Sequence, residues 1–485
     1  MKPRARVGRC FPIAGGRTTC LLVGMPPVRP NSRRDFLKAA SLGGLAFGAA
    51  AVPALGATTR ESAANSAQSL AKNVIFMVSD GMGMGTLSAA VDYLKLVHQR
   101  ESHWLRMYRE LPVVRSLCET HSATGLVTDS AAAASCWAIG ERVQNGSLNV
   151  TTDGRKPVTI LQRMKAVRKR TGLVTTATAT HATPAGFVTN VSKRADQREV
   201  AFQYLERGVD VVLGGGASYF GESLVSAYKK VGYAHVTNRT QLLAHRGPGP
   251  LLGLFSKNYL PMEVDRLHRP ELAAVTPTLA EMTQVALAGL QSGSEGFFLM
   301  VEGGRIDHAA HANDAIGAIL DQIAFDDAIA TVLKFIATNP DTLLIVTTDH
   351  GTGGLQVNGI GNEDFETKLP SYNETDQTFL RLTQFNRSLE QIKLEAKDFK
   401  KPKEWQDLLV DATGLKFKTA DLDKVISMKT LTEAIPKYTG VGFTSMNHTG
   451  EMVEFCAVGP GSALFTPFLR NDQVHAQLLR ATGLA

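Results

Sequence analysis

Short apolar runs alternate with helical patterns along most of this 485-residue chain, and this alternation constrains the fold more than any other feature. Amphipathic segments at 160–170, 279–291 and 313–337 are predicted as helices. Such alternation predicts α/β architecture with a mostly parallel central sheet, a three-layer α/β/α sandwich. The runs with the length and β-branched content of buried strands are 73–78, 113–117, 172–179, 210–213, 297–301 and 342–346.

Polar residues that can bind a metal or a phosphate follow the ends of several of these strands. They are Asp80, Thr183, Glu302, Asp349 and His350. Each one alone has an ordinary explanation as a turn residue or a strand-to-loop junction. The carboxyl ends of parallel strands, however, share one edge, where open α/β sheets bind ligands. We therefore expect these side chains to converge.

Residues 301–311, V-E-G-G-R-I-D-H-A-A-H, carry the densest set of such groups. Asp307 and His311 lie four positions apart, so on a helix they share a face and can bind one cation. Glu302, at the strand end, would reach a different cation. The solvated start of a helix explains the same spacing without any metal.

Ser130 precedes a run of four alanines, which strongly favours a helix. This places the serine at a helix N-terminus, where backbone N–H groups and the helix dipole favour an anion. It is either a helix cap or a nucleophile, and a nucleophile needs a metal or a base to lower its proton affinity. Arg194 offers a planar guanidinium for phosphate oxygens, unless it is simply a surface residue. His448, before the apolar run 453–458, is either a ligand or a structural histidine.

Residues 1–57 have the features of a twin-arginine export signal. S-R-R-D-F-L-K at 32–38 precedes a weakly apolar run up to Val52, and small residues suited to cleavage follow. That run is too short for a permanent transmembrane helix, so a membrane anchor is the weaker alternative. We expect export by the twin-arginine translocation machinery to the periplasm or the medium. Met25 is a candidate for the true start of translation.

The leader also explains the basic composition of the chain. It carries nine Lys and Arg against one acid, so removing that net +8 from the formal +7 leaves a mature chain near −1. Charge therefore gives no reason to expect nucleic acid as a partner. The cysteines beyond the leader, Cys118, Cys136 and Cys456, are odd in number and scattered, and they predict no disulfide framework and no zinc ribbon.

Residues 58–485 are expected to form one domain with its own hydrophobic core. Between about residues 355 and 440 the strand pattern stops, charge density rises, and residues 393–403 are distinctly basic. We interpret this part as an inserted, crown-like subdomain that projects from the core.

Six segments, taken in order, resemble the alkaline phosphatase family across nearly the whole mature chain. They are D-G-M-G at Asp80, T-D-S-A-A at Thr128, H-A-T-P at His181, V-E-G-G-R-I-D-H-A-A-H at Val301, T-T-D-H-G at Thr347 and H-T-G at His448. The resemblance implies a metal-dependent hydrolase that cleaves phosphate monoesters with broad specificity through a phosphoserine intermediate and releases inorganic phosphate. It also implies a homodimer.

The resemblance further implies a role for each matching residue. Ser130 would be the nucleophile and Arg194 would hold the phosphoryl oxygens, with His181 and His308 beside the phosphate. Two zinc ions and one magnesium ion per chain are implied. Their ligands would be Asp307, His311 and His448 for the first zinc, Asp349 and His350 for the second, and Thr183 and Glu302 for the magnesium, with Asp80 bridging the last two sites.

His181 and His308 differ from some bacterial members of the family, which carry Asp and Lys at these positions. The two histidines are similar to those of animal members and of several other bacterial ones. Imidazole suits zinc better than hydrated magnesium. We therefore expect the third site to bind its metal weakly or to hold a mixture of metals. Activity should then rise when magnesium is added.

Sister enzymes of the superfamily are the main alternative. Sulfatases use a modified residue in a C/S-x-P-x-R motif, whereas Ser130 is followed by alanines. Phosphodiesterases typically have a threonine nucleophile and no equivalent of Arg194, so we expect phosphodiester hydrolysis only as a side activity. Cofactor-independent phosphoglycerate mutases are a third sister class. An exported, non-catalytic phosphate- or metal-binding protein would lack the nucleophile or a ligand, and here all are present.

Overall fold

A ten-stranded sheet lies at the centre of the computed structural model, in which residues 70–361, 366 and 371–485 are described. The predicted leader and Met25 lie outside the described residues. The strands, in chain order, are β1 Asn73–Val78, β2 Val114–Glu119, β3 Arg170–Thr178, β4 Val211–Gly215, β5 Ala234–Val236, β6 Leu251–Leu254, β7 Phe297–Glu302, β8 Thr342–Thr347, β9 Gly351–Thr352, β10 Gln356–Val357, β11 Val441–Gly442, β12 His448–Thr449, β13 Val453–Val458 and β14 Phe468–Arg470.

The order of strands in this sheet is β14, β2, β13, β8, β1, β7, β3, β4, β6, β5. Within it, β13 alone runs antiparallel to its neighbours, β2 and β8. The reversal brings the start of β13 to the edge where the parallel strands end. His448, which precedes β13, therefore lies at the same edge as the residues that follow the other strands.

Helices cover both faces of the sheet, so the predicted mostly parallel α/β/α sandwich is confirmed. The predicted helix at 160–170 is too long, because Arg168 has a left-handed φ of 63° and β3 begins at Arg170. The helices are α1 Met84–His98, α2 His103–Glu110, α3 Ser130–Ile139, α4 Ile160–Ala166, α5 Ala182–Gly186, α6 Gln197–Glu206, α7 Ala217–Lys230, α8 Arg239–Ala244, α9 Glu263–His268, α10 Pro270–Val275, α11 Leu279–Leu290, α12 Arg305–His311, α13 Ala315–Thr338, α14 Thr375–Phe379, α15 Leu389–Glu395, α16 Pro402–Thr413, α17 Thr419–Leu422, α18 Met428–Ala434, α19 Pro436–Thr439 and α20 Gln473–Thr482.

The central strands are largely apolar because both of their faces are buried. In β1, Val74, Phe76 and Val78 pack into one hydrophobic core. Ile75 and Met77 point to the opposite face and pack into a second core. Successive side chains of a strand alternate between faces, so a continuous apolar run fills both layers.

The region predicted as an insertion is helical in its described parts, from α14 to α19. At its base, β10 pairs with β11 in antiparallel register, so the chain leaves and re-enters the core at neighbouring points. A third hydrophobic core joins these helices to α1 and α13. The start of α15 is held by two buried core carboxylates, because Asp265 accepts from the Ser388 N–H and Asp314 accepts from the Leu389 N–H.

Candidate active site

All the predicted site residues lie around the edge of the sheet where the parallel strands end. Asp80, Thr183, Asp349 and His350 follow strand ends, and Glu302 is the last residue of β7. Ser130 begins α3, His448 begins β12, and His308 lies on α12 with Asp307 and His311. His181 precedes α5, and Arg194 lies between α5 and α6.

Asp307, His311 and His448 form one group with metal-ligand geometry. The Nε2 atom of His311 lies 3.4 Å from Asp307 Oδ1, and that of His448 lies 3.7 Å from the same oxygen. The two Nε2 atoms are 3.0 Å apart. α12 supplies two of these ligands from adjacent turns, as their spacing of four residues predicts.

The proton positions of these two imidazoles follow from their outer partners. His311 Nδ1 lies 2.6 Å from the Met446 carbonyl, and His448 Nδ1 lies 2.7 Å from the Thr128 carbonyl. A carbonyl oxygen only accepts, so each Nδ1 must carry a proton and, in the neutral ring, each Nε2 has a lone pair. In that state two lone pairs face each other across 3.0 Å, and a cation bound by both nitrogens would relieve their repulsion.

A second group surrounds His350. Its Nε2 lies 3.3 Å from Ser130 Oγ, 3.2 Å from Asp349 Oδ2 and 3.8 Å from Asp80 Oδ1. The Thr352 hydroxyl donates to an Asp307 oxygen at 2.7 Å, so it accepts from His350 Nδ1 at 3.2 Å. The Nε2 of His350 is therefore also unprotonated and faces the serine and two carboxylates.

The third group is Asp80, His181 and Glu302, all buried. His181 Nδ1 lies 3.9 Å from an oxygen of Asp80 and 3.9 Å from one of Glu302. The Thr183 hydroxyl lies 3.3 Å from Asp80 Oδ2, so its oxygen is available at the same place. Thr175 donates to the other oxygen of Glu302 and fixes its orientation.

Each of the carboxylates Asp80, Glu302 and Asp349 has one buried oxygen without a hydrogen-bond partner among the described residues. Burial, followed by the Asp307 and Glu302 charges, raises the pKa of Asp349 to about 8. Burial and the neighbouring carboxylates also raise the pKa of Asp80 well above its ordinary value. Unpaired buried acids of this kind are costly unless a cation neutralises them, so the donor set fits bound metal ions.

Asp129 organises the phosphate side of the site. Its Oδ1 accepts from the Ala132 N–H at 2.9 Å and caps α3, directly before Ser130. Its Oδ2 accepts from Arg194 Nη1 at 2.9 Å. One carboxylate thus fixes both the helix N-terminus and the guanidinium, which are the two groups suited to an anion.

Three residues that sequence reasoning did not single out complete this side: Tyr259, Arg305 and Glu390. Arg305 is fully buried and donates to His308 Nδ1 at 2.7 Å and to Glu390 at 2.6 Å. The Tyr259 ring lies 4.3 Å from the His308 ring, centre to centre. Arg305 is three residues before His308 on one helix, a spacing that could have indicated the contact. Tyr259 and Glu390 carry no such signal.

The geometry can be compared with known proteins. The alkaline phosphatase family profile matches residues 71–484. The chain belongs to the alkaline phosphatase family. Alkaline phosphatase 3 of Bacillus subtilis (strain 168) is 30% identical over 462 residues, which cover 92% of this chain and 97% of that protein. Streptomycin-6-phosphate phosphatase of Streptomyces griseus is 33% identical over 58% of this chain and 74% of its own length.

Solved structures of the family have the same fold. The alkaline phosphatase of Thermus thermophilus superposes with a TM-score of 0.79 at 30% identity, over 90% of this chain and 96% of that chain. The cold-active enzyme of a psychrophilic Shewanella sp. gives a TM-score of 0.71 at 31% identity, over 85% of this chain and 100% of that chain. The predicted family membership is thus confirmed, and the protein is a phosphatase of a metal-dependent family.

Proposed function

We propose that this phosphatase hydrolyses phosphate monoesters with broad specificity through a phosphoserine at Ser130. The proposal rests above all on the proton positions in the site. In their neutral form, three imidazoles, His311, His350 and His448, direct Nε2 lone pairs towards buried carboxylates. Ser130, whose hydroxyl touches one of these imidazoles, begins a capped helix that can receive an anion.

The proposed ligands of two zinc ions and one magnesium ion follow the three groups. Bound there, the ions would lower the proton affinity of the serine, stabilise the leaving oxygen and activate a water molecule. The first zinc would take Asp307, His311 and His448; the second would take Asp349 and His350; the magnesium would take Thr183 and Glu302; and Asp80 would reach the last two sites.

In this mechanism, Ser130 Oγ attacks phosphorus, the bond to the leaving alkoxide breaks, and a serine phosphate ester forms. Water then displaces the serine oxygen, and inorganic phosphate leaves. Arg194 and the N-terminal N–H groups of α3 hold the non-bridging oxygens through both steps. These contacts are to the phosphoryl group alone, which is why broad specificity is expected.

His308 would act as a neutral donor beside the phosphate. Arg305 can only donate, so His308 Nδ1 accepts and the proton of the neutral ring lies on Nε2. Burial, and then the charge of Arg305, lowers the pKa of His308 well below its ordinary value, so the ring stays neutral. Its Nε2–H group is then available for a phosphate oxygen or a water molecule.

We propose magnesium, weakly held, for the third site. Arg194 Nη2 lies 3.2 Å from His181 Nε2, and because it donates, the proton of a neutral His181 lies on Nδ1, facing Asp80 and Glu302. A protonated Nδ1 cannot bind a metal directly, and an N–H group that faces the ion position weakens the site. Oxygen ligands from Asp80, Glu302 and Thr183 suit a hard cation. We expect activity to rise on addition of magnesium, and one tightly held magnesium per chain after purification without it would contradict this.

The decisive experiment is hydrolysis of 4-nitrophenyl phosphate at alkaline pH by zinc-loaded and chelator-treated protein. Ser130→Ala should lower kcat by about a thousandfold or more, and chelation should abolish turnover. Ser88→Ala is the control, because it removes an exposed serine whose hydroxyl donates to the Met84 carbonyl of its own helix. Mass spectrometry of acid-quenched enzyme should find phosphate on the peptide with Ser130. Full activity of Ser130→Ala or of the chelated enzyme would refute the mechanism.

The remaining proposals concern the whole protein. We propose removal of residues 1–57 during twin-arginine export, a periplasmic or secreted enzyme of residues 58–485 with an insertion at about 355–440, and a homodimer. Among the described helices, none is both long and apolar enough to cross a membrane. Light scattering of the purified enzyme tests the dimer, and N-terminal sequencing of the exported protein tests the cleavage site.

A further inference from the structure

A cavity of about 730 Å³ opens between the core and the insertion, next to the candidate active site. The core contributes Tyr259 with its neighbour Asn258, and the insertion contributes Glu390, Lys393 and Lys397 from α15 and the turn after it. Tyr219 and Leu394 add apolar surface to the lining, and its charged side chains are Glu390, Lys393 and Lys397. None of these residues is a proposed ligand of a metal or of the phosphoryl group, although Tyr259 and Glu390 border the phosphate side of the site.

Tyr259 forms the wall between the cavity and the active site. Its ring centre lies 4.3 Å from that of His308 and 6.3 Å from that of His181. Tyr259 is 38% exposed, so it also faces the cavity. His181 in turn touches Arg194. A substrate whose phosphoryl group is held by Arg194 would therefore extend its remaining atoms past Tyr259 towards the cavity.

The charges in this cavity do not cancel. The Glu390 carboxylate is already paired with buried Arg305 at 2.6 Å. Lys393 and Lys397 are four residues apart and exposed, and neither has a carboxylate partner among the residues that the structure describes. The ammonium groups of Lys393 and Lys397 lie beside the polar groups of Asn258 and Tyr259. They would attract an anionic group of the substrate other than the phosphoryl group that is cleaved.

We propose that this cavity receives the leaving group of phosphate monoesters that carry a second anion, such as sugar bisphosphates. The inference rests on the proposed phosphomonoesterase activity and adds a preferred substrate class to it. Tyr259 and Asn258 would contact the hydroxyl groups of the sugar, and Lys393 and Lys397 would bind the second phosphate. Because these contacts are the same in the ground state and the transition state, they lower KM and leave kcat nearly unchanged.

The test compares the hydrolysis of glucose 1,6-bisphosphate with that of glucose 6-phosphate by the zinc-loaded mature enzyme, residues 58–485. We expect wild type to have the higher kcat/KM for the bisphosphate. In the double variant Lys393→Ala, Lys397→Ala, the preference should fall about tenfold, since each exposed charge contributes roughly threefold. The loss should appear in KM. Added salt should weaken the preference of wild type, because exposed charges are screened.

The matched control is Lys424→Ala, Lys429→Ala, which removes the same charge from exposed positions of the same insertion. It should keep the wild-type preference. An unchanged preference in the first double variant, or an equal loss in the control, would overturn the leaving-group site. If wild type cleaves both sugars equally well, only this site is refuted, whereas no cleavage of either sugar refutes the proposed function as well.

Discussion

In His311, His350 and His448, the hydrogen-bond partner of Nδ1 determines which ring nitrogen can bind a cation. His311 and His448 use carbonyl oxygens for this purpose, and His350 uses the Thr352 hydroxyl. A metal-binding histidine normally donates its other nitrogen in this way, and that partner sets which nitrogen can bind the ion. Residues that are not themselves proposed metal ligands thus orient the three imidazoles for binding cations.

Asp349 gives the first prediction at this scale. Burial and the nearby carboxylates raise its pKa from 3.8 to about 8, so the folded chain holds this proton more tightly than the unfolded chain. Without metal, stability should therefore be lost as pH rises from about 4 to about 8. Asp349→Asn removes this titration. The stability of wild type relative to the variant should fall by up to about 5 kcal/mol over that range.

Urea unfolding of the chelator-treated proteins between pH 4 and 9 measures this difference. Zinc-loaded wild type is the control, because the bound cation replaces the proton and should remove the trend. Parallel pH profiles of the two chelated proteins would show that Asp349 ionises freely in the fold.

At the scale of elements, the insertion reaches the phosphate side through one contact between helices. Glu390 on α15 pairs with Arg305 on α12, and Arg305 donates to His308. The same end of α15 is anchored to the core by Asp265 and Asp314. The insertion therefore helps to orient His308 through Arg305, although it contains none of the proposed metal ligands.

Glu390→Gln tests this connection. It leaves the buried Arg305 guanidinium without its carboxylate, and because the Glu390 side chain is 46% exposed, we expect a loss of only about 1 kcal/mol of stability. We also expect a higher KM for 4-nitrophenyl phosphate, since His308 loses its fixed position. The control is Glu433→Gln. Glu433 lies 4.0 Å from its partner Lys429, and both side chains are exposed. Equal KM values for Glu390→Gln and the control would contradict the connection.

On the scale of the whole molecule, the proposed cations connect segments that are far apart in the chain. The loop after β1, α12, the loop after β8 and β12 all contribute ligands. Gly81 shows how closely these segments approach, because a Cβ there would lie 2.7 Å from an Asp307 oxygen. Ions bound only by the folded state stabilise it by mass action, by about 2.7 kcal/mol for each site at a hundredfold excess over Kd.

Chelation should therefore lower the melting temperature of the mature protein. For two zinc sites we expect a decrease of about 5 °C, given the unfolding entropy of a chain of this size. Differential scanning calorimetry with and without chelator measures it, and re-addition of zinc should restore the original value. Asp307→Ala removes a ligand of the first zinc only, so chelation should lower its melting temperature by about half as much. An unchanged melting temperature for chelated wild type would argue against tightly bound zinc.

The sequence alone determined the sandwich and the edge that carries the site. Long apolar runs such as β1, β7 and β8 have a length and composition that local physics fixes, and polar residues at their ends mark the edge. Short strands gave no such signal: β5 and β14 have three residues each and were not predicted. A pattern of three residues cannot be distinguished from a loop.

Only the tertiary structure decided what depends on contacts between distant residues. The antiparallel direction of β13, which brings His448 to the site, is set by its pairing with β2 and β8. The proton position of His448 depends on the Thr128 carbonyl, 320 residues away. That of His350 depends on the Thr352 hydroxyl, which is oriented by Asp307, 45 residues away from Thr352. Hydrogen bonds across such separations form only after the chain has folded, so no local pattern in the sequence encodes them.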